Sequence, residues 1–482
     1  MCYNHRNNKI RHAYDLAMIF QLKSTIIPPQ EGVYIVGGSL RDLIQGRLPK
    51  DYDIAVSENP EKFAQKLADK TNGHLIIIGK PGQIIFRVVS GEKVFDVSAI
   101  KGMSIKEDLD KRDFTINAMA YDLSSGNIID HLGGVHDLSA KRVRMVSPTV
   151  FQEDPVRLIR AYRISALLNF KIDPETVSVI KNEAKQVQQT AGERVREELF
   201  NMLRTPRSHK YISQMAEAGL LCAIFPEFET LKGVFQNKHH SYDVFEHTMK
   251  AYFHFEKLLC NTNELIPGIQ DQILRYIDDS KALLLKWAIL FHDLGKPMAQ
   301  SVGENGKIHF FDHAGLSAEK AKRIAERLRF STRDIKGIDN IIRNHMQPLF
   351  LFRAAENGTL TKKGMVRFFA KCGDDSPGII LHAIADMRAK MKIGNRDTQA
   401  FTGFVKKMIR EFLFSFEPLT SRSPMITGDD LIHEFGLTPS PLFKTILSQV
   451  EEARLLEQIK TKPEAFKRVR AILRKKVSNR NL

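Results

Sequence analysis

The chain has 482 residues with 43% hydrophobic and 27% charged content, which is the composition of a soluble globular protein and enough chain for two to four domains. Lys and Arg outnumber Asp and Glu by 72 to 56, a formal charge of +16, so a nucleic-acid partner is expected wherever a phosphate-handling site is present. The four cysteines (Cys2, Cys222, Cys260, Cys372) form no CxxC pair, arguing against a disulfide scaffold or a structural zinc site, and there is neither a signal-peptide pattern nor an apolar run near ~20 residues; a cytoplasmic protein without a membrane span is expected.

In chain order, residues 31–150 carry short β-like runs (VYIVGG, YDIAV, HLIIIG, QIIFRVV, KVFDVSA) separated by Gly- and Asn-containing turns. Helical pieces near 60–70 and 104–120 complete an α+β domain, a small mixed β-sheet with helices. From Phe151 onward strand signals fade and amphipathic helical periods dominate, which predicts an all-α C-terminal region. Pro206 and Pro226 punctuate it, and the Gly-, Asn- and Asp-rich stretch 261–280 reads as a loop. Boundaries near 150, 235 and 400 divide the chain into 1–150, 151–235, 236–400 and 401–482. The last segment ends in a basic helical tail with Lys467, Arg468, Arg470, Arg474, Lys475 and Lys476.

The first chemical signal is VYIVGGSLRDLIQGRLPKDYDIAV, residues 33–56. A Gly37-Gly38-Ser39 turn offers backbone N–H groups to an anion, and a helical segment with Arg41 and Asp42 follows. Asp51 and Asp53 lie two apart on a second strand, so they share a face and suit divalent ions and a triphosphate. Asp96 in KVFDVSAI supplies a candidate third carboxylate.

GGSLRD followed by DYD resembles the class II tRNA nucleotidyltransferase/poly(A) polymerase family, and KRDFTINAMA (Lys111–Ala120) is similar to that family's next motif. The resemblance implies nucleotidyl transfer with Mg2+ on Asp51 and Asp53, and Asp96 assisting. It implies that Gly37, Gly38, Ser39, Arg41, Arg112, Asp113 and Asn117 bind the incoming nucleotide. Glu153-Asp154-Pro155-Val156-Arg157 matches the family's template motif. Read from spacing, Asp154 and Arg157 share a face at the start of a helix that continues through Arg160 and Arg163, two further arginines that the resemblance counts with the nucleotide-binding residues. In the family such a pair reads the base: a carboxylate accepts from the amino group of cytosine or adenine while a guanidinium donates to the adjacent ring nitrogen, a polarity that rejects uracil and guanine. GERVREELFNML (Gly192–Leu203) resembles the supporting neck helix, with Arg194 and Arg196 equally readable as surface charges.

Downstream, His247, His292-Asp293, His313, His345 and Asp386 resemble the ligand order of the HD superfamily of metal-dependent phosphohydrolases. That likeness implies a divalent metal of unknown identity on His247, His292, Asp293 and Asp386, with His313 and His345 matching further histidines of some members. The resemblances together imply extension of the tRNA 3′ end from CTP and ATP. The connection from Asp96 to Lys111 lacks the longer flexible segment of CCA-adding members, so CC addition is expected, with a separate enzyme adding the final A. Full CCA addition, A-only addition or poly(A) tailing, a phosphohydrolase centred on the HD-like region and a non-catalytic RNA-binding protein are the alternatives. No protein partner is deducible. Near the C-terminus, Ser440 stands where a Gly is expected.

Overall fold

The structure is a computed structural model that describes residues 27, 30–80, 84–235, 242–304, 306–390 and 396–478. The N-terminal residues up to 26, whose order the sequence left open, and the Lys475 and Lys476 side chains lie outside the described residues. The described chain forms two compact units: one runs through Thr205 and takes in Gln214–Ile224, the other comprises Pro206–Ser213 and everything from Phe225 on.

The first unit is built on a seven-stranded mixed sheet of order β3-β4-β5-β2-β1-β6-β7. Its strands are β1 (Val33–Val36), β2 (Asp51–Val56), β3 (His74–Ile78), β4 (Ile85–Ser90), β5 (Lys93–Ala99), β6 (Ala120–Asp122) and β7 (Ile128–Ile129). Only β2 and β5 run parallel, joined by the crossover that contains the helix Pro60–Thr71. That helix buries Phe63, Ala64, Leu67 and Ala68 against β4 and β5, one apolar stripe worth roughly 1.5–3 kcal/mol per large side chain. Along β2 the residues Asp51, Tyr52, Asp53 and Ile54 alternate between exposed and buried, so the sheet has a packed face and an open face at this point. Tyr52 stacks on Phe95 of β5 within the packed side, ring centroids 5.2 Å apart. The 104–120 stretch, expected as helical, is broken. Ile105–Asp110 is helical, with Ser104 capping it, and a 3-10 turn at Thr115–Asn117 follows. Buried Asp137 fixes that turn by accepting from Thr115 Oγ1 and Arg144 Nε, both at 2.7 Å.

The rest of the unit is helical, as the loss of strand periodicity predicts. The helix Arg157–Leu168 packs on Gly192–Leu203. A two-residue parallel pair, Arg142–Val143 with Lys171–Ile172, ties the sheet domain to these helices.

Among the described residues the second unit is mainly helical, with a small antiparallel pair, Gln300–Val302 with Ile308–Phe310, that the apolar pattern did not reveal. Its centre is the helix Asp279–Phe291, buried continuously from Leu285 to Phe291 and packed against Val244–Cys260 and Ser376–Lys390. Trp287 sits in an aromatic cluster with Phe225, Phe291 and Phe330. The 261–280 stretch holds two short helices, Thr262–Leu265 and Gln270–Leu274, where a loop was expected. Leu265, Ile266, Ile269, Ile273 and Ile277 are all buried, and this spacing outweighs the polar composition. A separate apolar cluster around Leu431, Ile446, Val450 and Val469 holds the C-terminal helices together. The helix Lys462–Ser478 turns Ala465, Val469 and Ile472 inward and leaves Lys467, Arg468, Arg470 and Arg474 exposed. Ser440 adopts an extended conformation, φ −160° and ψ 168°, that needs no glycine.

Candidate functional site

In the first unit one row of the sheet carries the chemistry. Arg87 on β4 pairs with Asp96 on β5, Asp96 with Asp53 on β2, and Asp53 with Val36 at the end of β1. The chain then turns at once into the helix Gly37–Ile44, so Gly37-Gly38-Ser39 is the helix's first turn rather than a separate turn before it. Its free N–H groups therefore carry the partial positive charge of a helix start. Ser39 stitches the two elements together: its hydroxyl donates to Val36 O at 2.8 Å and accepts from Asp53 N at 3.1 Å.

Gly37 has φ +68°, and a Cβ there would stand 2.9 Å from Asp53 Oδ2 and 3.1 Å from Arg112 Nη1. Glycine is thus required both by the backbone and by the closeness of the carboxylate. Asp53 reaches solvent, yet the protein around it partly desolvates its carboxylate and raises its pKa; Arg112 opposes this, and the charges of Asp96 and Asp51 add to it. The Asp51 and Asp53 carboxylates are exposed, on one face, and unbonded to any described donor, a set of hard oxygen atoms that fits Mg2+. Asp96 differs. Arg87 grips both its oxygens at 2.7 Å, and the three aspartates form no close three-carboxylate group among the described residues.

Arg41 donates to Asn117 Oδ1 at 2.8 Å, joining the Gly-Gly helix to the KRDFTINAMA segment. Asn117 Nδ2 in turn donates to Asp113, which also accepts from Phe114 N and from Arg160. Burial alone would raise the Asp113 pKa, but Arg160, Asn117 and the Phe114 N–H hold it below the usual carboxylate range. Arg112 itself is bound to Asp108, at 2.9 and 2.8 Å.

The structure does not put Asp154 and Arg157 on one helical face, although their charges still interact. Asp154 stands before the helix in an extended conformation, φ −150° and ψ 95°, so it does not share a helical face with Arg157. Pro155, which disfavours helical geometry in the residue before it, explains the break. Arg157 donates to Lys111 O at 2.9 Å, while Asp154 is gripped by Arg194 at 2.9 and 2.8 Å. Arg194 was indistinguishable from a surface charge in the sequence; only its place in the neck motif hinted at more. Arg160 and Arg163 converge on buried Glu198 of the same neck helix, which the sequence reading did not single out.

In the second unit the ends of three helices bring His247, His292, Asp293 and Asp386 together, all buried, with ligand atoms within 4.8 Å of one another. A second set, Asp293, His313 and His345, shares Asp293 with the first. Gly295 makes this possible: a Cβ there would stand 2.6 Å from His313 O and Ser317 N, so only glycine lets the helix His313–Arg327 approach. Nδ1 of His292, His313 and His345 lies 2.8, 2.9 and 2.6 Å from the carbonyls of Ile289, Phe310 and Ile342. Each Nδ1 therefore donates, and each ring turns a bare Nε2 toward the centre. Those three Nε2 atoms and Asp293 Oδ1 are buried without a hydrogen-bond partner. Orphaned lone pairs of this kind are costly unless something binds them, so the donor set fits a divalent metal. Burial, with His292 and His313 nearby, pushes the His345 pKa down to about 3, so its Nε2 stays unprotonated. His382, one turn before Asp386, was overlooked in the sequence; its ring lies 5.1 Å from that of His292 and is fully buried. A cavity of about 490 Å3 opens on this cluster and is also lined by Lys296, Arg353 and Lys390.

Three family models match the chain: the poly A polymerase head domain over residues 33–144, a probable RNA- and SrmB-binding site of polymerase A over 169–232, and the HD domain over 244–359. These define a nucleotidyltransferase carrying an HD domain. Relatives sharpen the class. An A-adding tRNA nucleotidyltransferase of Deinococcus radiodurans is 29% identical over 93% of this chain and 97% of its own length. A CC-adding tRNA nucleotidyltransferase of Synechocystis sp. is 27% identical over 95% and 97%. A multifunctional CCA protein of Nitrosococcus oceani is 31% identical over 62% and 70%. The chain belongs to the tRNA nucleotidyltransferase/poly(A) polymerase family, within its CCA-, CC- and A-adding branch. A CCA-adding enzyme solved with CTP has the same fold, with TM-score 0.64 at 20% identity over 96% of this chain and 98% of that one. Among the described residues, no helix is long and apolar enough to cross a membrane.

Proposed function

We propose that the chain extends the tRNA 3′ end with C residues from CTP, and that a separate enzyme adds the final A. The observation carrying this reading is the link between β5 and the helix Ile105–Asp110. Residues 100–104 are pinned rather than free: Lys101 N donates to Asp108 Oδ1 at 2.9 Å and Met103 N to Glu107 Oε2 at 3.0 Å. In this reading so short a link, running only from Ile100 to Ser104, does not reset the base-reading residues from cytosine to adenine. In this reading residues 1–150 form the catalytic head, 151–235 the template and neck, 236–400 the HD domain and 401–482 an RNA-binding tail.

Asp51 and Asp53 would hold Mg2+, whose charge supports the attacking 3′-hydroxyl and the departing pyrophosphate. The Gly37–Ser39 N–H groups cradle the triphosphate, Arg41 and Arg112 neutralise it, and Asp113 and Asn117 position the ribose side. Asp154, oriented by Arg194, accepts from the exocyclic amino group, with Arg157 beside it for the ring nitrogen. Exposed Lys467, Arg468, Arg470 and Arg474 suit phosphate contacts along the acceptor stem, giving salt-sensitive binding. Extension of a tRNA ending at the discriminator base, with each labelled nucleotide in turn, tests the reading. Two C additions and no A support it; a full CCA end made without help overturns it.

The HD cluster favours a second activity, hydrolysis of a 2′,3′-cyclic or terminal phosphate ester. Its two donor sets suit two divalent ions sharing Asp293, and Lys296, Arg353 and Lys390 line the opening where a phosphate would lie. Water adds to phosphorus and a P–O ester bond breaks. Release of a monoester from a 2′,3′-cyclic nucleotide, lost in Asp293→Asn, is the measurement; equal turnover by that variant refutes this assignment.

A further inference from the structure

One cavity of the second unit belongs to neither reaction. It encloses about 970 Å3, and none of its lining residues also lines the opening over the histidine cluster. Its walls come from residues 207–209, the C-terminal half of Val244–Cys260, the end of Ser376–Lys390 and the helix Arg396–Glu411. Four cations face it: Arg207, Lys257, Arg388 and Lys406. None is paired with a carboxylate among the described residues. The one acidic side chain on the wall, Glu256, is already spent. Its Oε1 accepts from Ser208 N at 3.0 Å and Lys286 Nζ at 2.6 Å, and its Oε2 from His209 N and Nδ1 at 2.7 and 2.8 Å.

The cavity therefore carries an uncompensated positive field. His254 on its wall registers this: burial first, then Arg388, Lys257 and Lys250, push its pKa down to about 4. Phe253 contributes the aromatic part of the wall, with Lys257 Nζ 5.1 Å from its ring centroid. Cavities of about 300–1,000 Å3 enclose a ligand of nucleotide size. A convergent set of free cations selects an anion, and guanidinium and ammonium groups favour phosphate.

We propose that this cavity binds a phosphate ester of nucleotide size, its phosphate held by Arg207, Lys257, Arg388 and Lys406 and its base lying against Phe253. Two sources share this chemistry, a free mononucleotide and the unpaired terminal nucleotide of an RNA.

The test is photolabelling of the full chain with 8-azido-AMP in EDTA, with labelled peptides mapped by mass spectrometry. Label is expected on the peptides carrying Phe253–Asn261 or Thr398–Lys406. It should fall about tenfold or more in Lys257→Glu/Lys406→Glu at an unchanged melting temperature. Lys406→Gln, which only removes one charge, should weaken it about threefold and carries the test if the double variant does not fold. Displacement by unlabelled AMP assigns the free nucleotide; displacement only by a CC-ending RNA oligonucleotide assigns the RNA terminus. Label confined to the first unit, insensitive to the variants or displaced by neither competitor overturns the proposal. Asp293→Asn should leave the labelling intact, which separates this site from the HD assignment.

Discussion

Asp154 is clamped by Arg194, which donates both terminal nitrogens to its two oxygens at 2.9 and 2.8 Å from forty residues further along the chain. The carboxylate is thereby fixed and ionised: burial raises its pKa, but the Arg194 hydrogen bonds and charge lower it further. The base-reading role proposed for Asp154 requires both. Charge-assisted hydrogen bonds contribute about 1.5–3 kcal/mol, and Arg194 is half exposed, so the low end applies. Arg194→Ala should lower kcat/KM for CTP about tenfold and raise misincorporation of UTP relative to CTP. Incorporation assays with all four nucleotides measure both, and unchanged selectivity would remove Arg194 from the base-reading group.

Gly37 is the tightest point of the first site. Adding a methyl group puts a carbon against Asp53 Oδ2 and forces a side chain into φ +68°. Left-handed backbone costs about 1–2 kcal/mol, and the displaced carboxylate costs activity besides. Gly37→Ala should lose tenfold or more in kcat, roughly, while melting only a few degrees earlier. Full activity in that variant would mean that Asp53 does not need this approach.

For the HD centre, chelation followed by addition of a divalent ion should raise the melting temperature, because an ion that binds only the folded donors stabilises by mass action. Metal analysis should give about two ions per chain, and His345→Ala should lose about one, since His345 belongs only to the second donor set. A stoichiometry that His345→Ala leaves unchanged refutes the two-ion arrangement. Asp293→Asn should keep nucleotide extension within about threefold of the parent, as Asp51 and Asp53 lie in the other unit.

Glu256 predicts a pH dependence of stability. Burial would raise its pKa, but His209, Lys286 and Ser208 bring it from 4.5 to about 2. A depressed carboxylate pKa stabilises fully above the unfolded value and loses that contribution as pH falls toward the folded one. Denaturant unfolding between pH 5 and pH 2 should therefore show a loss of about 3 kcal/mol at most from this residue. Glu256→Gln should be less stable at pH 7 and show a shallower acid limb. An unaltered acid limb would contradict the linkage.

Local rules made much of this molecule legible. Period-two alternation placed Asp51 and Asp53 on one face of β2, and the change of period after Phe151 marked the passage to helices. Less was legible where distant segments decide. Composition made 261–280 a loop, yet buried Leu265, Ile266, Ile269, Ile273 and Ile277 found apolar neighbours and folded into short helices. Spacing made Asp154 and Arg157 partners, yet Pro155 set the backbone and the neck helix supplied Arg194.

The sequence by itself determined which residues are chemically able: the Asp51/Asp53 pair, the Gly37-Gly38-Ser39 segment and the ordered histidines and aspartates of the second unit. Tertiary structure alone decided how they are engaged. It tied Asp96 to Arg87, gave Asp154 to Arg194, and turned bare nitrogens of His292, His313 and His345 toward Asp293. It also gathered four unpaired cations around one cavity. The physical reason is range: periodicity and backbone preference act within a few residues, whereas ion pairing and ligand convergence depend on side chains that meet only after the helices and sheet have packed.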